Sequence, residues 1–176
     1  MNIRTIDEVY EEPALPLLAG PPQVRRTATL SGCRRYRYSL SRCWDSALPT
    51  VLFVGLNPST ADARRDDPTV RRCVGFARDW GFGAMTLANL FALRSTDPAQ
   101  LWTSSDPVGP DNDDWISRLV EPAAKVVAAW GAHGGLNGRD HRVLELLPEV
   151  YCLGRTREGH PRHPLYLARI TELERL

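Results

Sequence analysis

The run Val51-Leu52-Phe53-Val54-Gly55-Leu56 constrains the fold more than any other stretch of this sequence. Its apolar residues do not alternate with polar ones. A strand here is therefore buried on both faces, as in a parallel sheet with crossover connections. The loop Asn57-Pro58-Ser59-Thr60 follows, and Asp67-Pro68 then opens a helix with Asp as N-cap and Pro at the first helical position. Val70, Val74 and Ala77 keep the helical period to Trp80, and Gly81 ends it. The strand–loop–helix unit then repeats. Further strands are expected over residues 85–91, 126–130 and 150–153. Helices are expected from Asp97-Pro98, from the acidic start at 111–114, and over about residues 139–147 and 165–176.

Upstream, residues 24–44 read as antiparallel strand, with Thr27, Thr29, Tyr36, Tyr38 and Leu40 alternating with polar partners about a Ser31-Gly32 turn. Residues 1–22, with Pro13, Pro16, Pro21 and Pro22, read as an N-terminal arm, and residues 23–176 as a single α/β domain. The expected fold class is α/β. It is a three-layer α/β/α arrangement with a four-stranded, mainly parallel central sheet, plus an N-terminal antiparallel strand pair.

Composition narrows the function classes. A length of 176 residues suits one domain at ~100–200 residues each. With 43% hydrophobic and 24% charged residues, wholesale disorder and fibrous classes are excluded. No apolar run approaches the ~20 residues of a membrane helix, so no membrane partner is expected. Asp7, Glu8, Glu11 and Glu12 stand where a signal peptide would be basic and then apolar, so the chain is expected to be cytoplasmic. Cys33, Cys43, Cys73 and Cys152 make no C-x-x-C pair, so free thiols are expected and no metal or cofactor. Charge is segregated: Arg25, Arg26, Arg34, Arg35, Arg37 and Arg42 fall between Pro21 and Trp44 with no acid among them. Such a face attracts phosphates, and Arg34, Arg35 and Arg37 are candidate DNA-backbone contacts, with a solvated strand face as the alternative.

In parallel sheets ligands bind beyond the carboxyl ends of the strands. The first expected strand delivers Asn57 there, and the second delivers Asn89 with Arg94 just beyond. The third leads to His133 in the glycine-rich loop 131–138, and the fourth to His160 and His163. Each residue has an ordinary reading as a turn residue, a backbone partner or a solvent-facing side chain. Their convergence on one edge marks a candidate site.

These residues also carry a resemblance. Asn57-Pro58-Ser59-Thr60-Ala61-Asp62, Asp67-Pro68-Thr69, Asp97-Pro98 and His163-Pro164-Leu165-Tyr166 resemble a bacterial domain family of unknown function, number 1643. More distantly, four motifs resemble the uracil-DNA glycosylase superfamily: Gly55-Leu56-Asn57-Pro58-Ser59, residues 87–94, residues 126–132, and His160-Pro161-Arg162-His163-Pro164-Leu165. They occur in the same order as in that superfamily.

The second resemblance implies a glycosylase-type fold and cleavage of the N-glycosidic bond of a modified or mismatched base in DNA. Asn57 would position water, Asn89 would read a base edge, and His163 or His160 would donate to the base oxygen or to a phosphate. Arg162 would hold the DNA backbone, and Phe53, Phe91 or Tyr166 would stack on a base. Gly55, Pro58, Ser59 and Arg94 complete the implied substrate-binding set, and the strand-end reading adds His133 to it. Asn57 stands where the fastest members of that superfamily have aspartate, which implies slow catalysis because an amide is a poor base. Asp62 and Asp66 are candidates for the missing base, with metal ligands or solvent-facing carboxylates as the alternatives. Carboxylates at this edge repel DNA phosphates, which favours one alternative, a small-molecule hydrolase acting on nucleosides or nucleotides; a non-catalytic nucleic-acid-binding module is a further alternative. The expected partner is DNA or a nucleotide-like ligand, with the chain acting as a monomer.

Overall fold

The computed structural model describes residues 5–11 and 24–176. Among the described residues eight strands form one sheet: β1 (Thr5–Tyr10), β2 (Arg25–Ser31), β3 (Arg37–Cys43), β4 (Thr50–Gly55), β5 (Ala84–Asn89), β6 (Lys125–Ala128), β7 (Val150–Cys152) and β8 (Glu174–Arg175). Their order across the sheet is β1-β2-β3-β5-β4-β6-β7-β8. Four α-helices accompany them among the described residues: α1 (Pro68–Asp79), α2 (Gln100–Thr103), α3 (Asn112–Val120) and α4 (Arg139–Leu144).

The fold-class expectation is corrected. The sheet is mixed, and most of its neighbouring strands run antiparallel: β1 with β2, β2 with β3, β3 with β5, and β7 with β8. It is not a four-stranded, mainly parallel sheet sandwiched by helices with a strand pair set apart. The physical reason lies in β3, whose residues Leu40 to Cys43 pair with Leu87 to Ala84, so the N-terminal hairpin continues the central sheet. Thr5–Tyr10, expected within an arm, pair with β2, and residues 1–4 and 12–22 of that expected arm lie outside the described residues. The helix expected over residues 165–176 is a single 3-10 turn, Pro164–Tyr166, followed by β8, where the Leu176 N–H donates to the Val150 carbonyl at 2.9 Å.

The middle strands behave as their apolar runs require. Leu52 and Val54 pack into one core with Ala88, Leu90, Val126 and Trp130, while Val51 and Phe53 pack into a second with Leu87, Val127 and Phe76. Burial of both faces follows from side chains alternating across the strand. α1 covers the second core and carries the expected cap, in which Asp67 Oδ1 accepts from the Val70 N–H at 2.8 Å.

One irregularity bears on the site. Thr29 pairs with Ser39 but Leu30 pairs with Arg37, so Tyr38 is an extra residue in β3. This β-bulge shifts the alternation by one. Tyr36 and Tyr38 pack into the first core, whereas Leu40 and the Ala61 backbone that Arg37 meets belong to the second.

Candidate functional site

A cavity of about 540 Å3 opens beyond the carboxyl ends of β4, β5 and β6. Its size falls within the ~300–1,000 Å3 of small-molecule sites. Asn57 enters from the β4 exit. Its Nδ2 donates to the Ser95 carbonyl at 2.9 Å and to the Pro58 carbonyl at 3.1 Å. Both amide hydrogens are thereby used, and Oδ1 is left as the acceptor a water or ligand can meet.

Asn89, the last residue of β5, is 2% exposed, and its Nδ2 has no hydrogen-bond partner. A buried donor left unmatched is costly unless a ligand or water meets it. The backbone around it is held by Asn112, whose Nδ2 donates to the carbonyls of Asn89 at 3.1 Å and Leu90 at 3.0 Å. Gly55 admits the amide, since a Cβ there would stand 3.0 Å from Asn89 Oδ1. Trp130 forms an apolar wall and has an unmatched Nε1. Gly134 is required beside it because a Cβ would come within 2.1 Å of the indole.

His163 closes one side. Burial pushes its pKa below the usual histidine value, against the opposing charge of Asp67. Its Nδ1 accepts from the Leu165 N–H at 3.3 Å, which places the ring proton on Nε2. A neutral imidazole with Nε2–H is a hydrogen-bond donor at neutral pH. Tyr166, 81% exposed, stands 5.9 Å from the His163 ring, and His133 meets Trp102 edge-on at 5.2 Å.

Arg37 also lines the cavity and is 1% exposed. Its Nη1 donates to the Ala61 carbonyl at 2.8 Å, and its Nε is unmatched. Among the described residues no carboxylate forms an ion pair with it. Burial pushes its pKa down to about 10, with Asp67 the strongest opposing influence.

Gly55, Asn57, Ser59, Asn89, His133, Arg162, His163 and Tyr166 therefore share one cavity wall, as a common site requires. Other expected residues lie elsewhere. Pro58 is buried behind the wall, where its carbonyl accepts from the Ser95 N–H at 2.8 Å. Arg94 turns to the Arg34 carbonyl at 3.2 Å. His160 lines a different cavity of about 520 Å3, with its Nδ1 3.8 Å from Asp140 Oδ2. Asp62 Oδ1 accepts from the backbone N–H groups of Arg64 and Arg65, at 2.8 and 2.9 Å. Asp66 pairs with the buried Arg42 at 2.7 Å and with Arg26 at 3.4 Å. Both carboxylates thus have structural partners away from the cavity. Arg34 pairs with Glu8, and Arg35 reaches the Ser104 hydroxyl at 3.2 Å, both on the exposed hairpin. Arg37, expected at a DNA backbone, is instead enclosed in the cavity wall. Phe53 and Phe91 belong to the cores, so Tyr166 is the one of the three expected stacking rings that lines the cavity.

Sequence reading missed the cavity roles of Trp130, Asp67 and Arg37. Trp130 ends an apolar strand and Asp67 caps a helix, so each has a local explanation that hides its place at the rim. The bulge that turns Arg37 leaves no mark in the alternation pattern.

Among the described residues no cluster of three or more His, Cys, Asp or Glu is placed to hold a metal ion. No helix of the described residues is long and apolar enough to cross a membrane. No curated protein and no solved structure matches the chain. A family model described as a protein of unknown function, DUF1643, matches residues 37–165, and the chain belongs to that family.

Proposed function

We propose that this DUF1643 protein is a glycosylase-type hydrolase that takes one nucleobase into the cavity and cleaves its N-glycosidic bond. The observation that carries the reading is Asn89, a buried amide with an unmatched donor in the wall of a cavity with room for a nucleobase. An amide presents a donor and an acceptor side by side, the pairing that a pyrimidine edge offers in reverse. Asn57 Oδ1 holds water on the sugar side. His163 Nε2–H donates to the base oxygen as negative charge builds there. Water adds its hydroxyl to the anomeric carbon while the base leaves with the bonding electron pair, and the water's remaining proton ends on the departing base. Tyr166, exposed at the rim, offers a stacking surface.

No carboxylate base is assigned, so turnover is slow. Wild-type protein is to be incubated with oligonucleotides bearing uracil, hypoxanthine or bulky modified bases, and separately with nucleosides and nucleotides. Base release is expected, with an Asn57→Ala loss of about 10²-fold or more, in the range of a positioned catalytic group. Failure to release base from any of these, while a control glycosylase works, sinks the reading.

A further inference from the structure

Arg37 is a buried guanidinium in a cavity wall with one matched hydrogen bond and no ion pair among the described residues. Buried charges are ordinarily paired, because an isolated one loses its hydration with nothing in return. Arg42, on the same strand, follows that rule: it is equally buried and pairs with Asp66 at 2.7 Å. The contrast within one strand argues that Arg37 is held for a partner that arrives from the cavity. Arg162 lines the same space, and Asp67 is the carboxylate among the lining residues. The planar fork of an arginine matches a phosphate or carboxylate in bidentate fashion.

We infer that Arg37 is the anion receptor of this cavity and that the ligand is a nucleoside monophosphate, its phosphate on Arg37 and its base at Asn89. The inference rests on the reading above and specifies its substrate class. A free mononucleotide suits the position, because Arg37 is enclosed in a site of about 540 Å3, whereas the hairpin arginines Arg34 and Arg35 are exposed.

Calorimetric titration is to compare each common nucleoside with its 5′-monophosphate, with inorganic phosphate as competitor and a single-stranded oligonucleotide as a separate arm. In the wild type at least one monophosphate is expected to bind about tenfold or more tightly than its nucleoside, as a charge-assisted contact supplies. Inorganic phosphate should displace it. Arg37→Gln should erase the preference and Arg37→Lys should restore part of it, with Arg34→Gln as an unaffected control. If Arg37→Gln does not fold, the wild-type comparison and phosphate displacement decide alone.

Equal affinity for nucleoside and monophosphate overturns the proposal. So does a preference that survives Arg37→Gln, or binding confined to the oligonucleotide. Monophosphate binding through Arg37 without base release would leave this inference standing while removing the hydrolase reading.

Discussion

Asn112 shows how a single side chain holds the site without touching the cavity. It is fully buried, and its Nδ2 serves the carbonyls at the β5 exit. Leu90 has a second donor in Arg139 Nε at 2.7 Å. Asn112→Leu should destabilise by about 1–3 kcal/mol, the cost of a buried carbonyl losing its donor. Urea denaturation reads the change, and ligand affinity should fall with it because Asn89 loses its fixed backbone. His163 gives a second prediction at this scale. Its folded-state pKa is lowered by burial, whereas an unfolded histidine titrates near ~6.5. The unfolded chain therefore takes up a proton first on acidification. Stability should fall as pH drops through about 6.5 toward the folded value and be unaffected by this group above it. His163→Gln should flatten that part of the curve of urea midpoint against pH.

At the scale of elements, α1 combines packing with electrostatics. Asp67 caps it and also places a negative charge on the cavity wall near Arg37. Asp67→Asn keeps a good cap and removes the charge, so stability should change little while phosphate binding tightens. Asp67→Ala should cost about 0.5–2 kcal/mol through the lost cap. Thermal unfolding with and without phosphate separates the two. α1 was legible in the sequence because its signals are local: Asp-Pro at the start and apolar residues every three to four positions. β4 was legible for the same reason, since a run apolar on both faces has one comfortable home. β8 was not. Residues 165–176 contain apolar positions compatible with a helix, but Tyr151 and Cys152 at the end of β7 claim the backbone of Glu174 and Arg175 instead. Long-range pairing overrode local preference.

Across the whole molecule, the sheet mixes strands whose partners are far apart in sequence. The β3–β5 pairing joins the hairpin to the central strands, and no local pattern announces it. The site was legible to the extent that it follows from strand ends. Asn57, Asn89, His133 and His163 meet because parallel strands deliver their loops to one edge. His160, only three residues from His163, opens onto a different cavity, because a loop can send nearby side chains to opposite sides of a wall. Burial also sorts the cysteines. Cys33 is exposed on the hairpin, and its pKa is lowered by its hydrogen bonds with the Ser31 side chain and the Arg35 backbone. Burial raises Cys73 and Cys152. Brief alkylation near neutral pH, read by mass spectrometry, should label Cys33 well before those two. Equal labelling of Cys73 in the native protein would contradict the packing of α1.

The extra residue at Tyr38 has a further consequence. Side chains in a strand take sides by parity, so one added or lost residue between Arg37 and Ser39 exchanges what the two faces present. In this protein that count decides whether the chamber is offered a cation or a phenol ring. An indel of a single codon there is therefore expected to change what lines the cavity, with no substitution among the other lining residues.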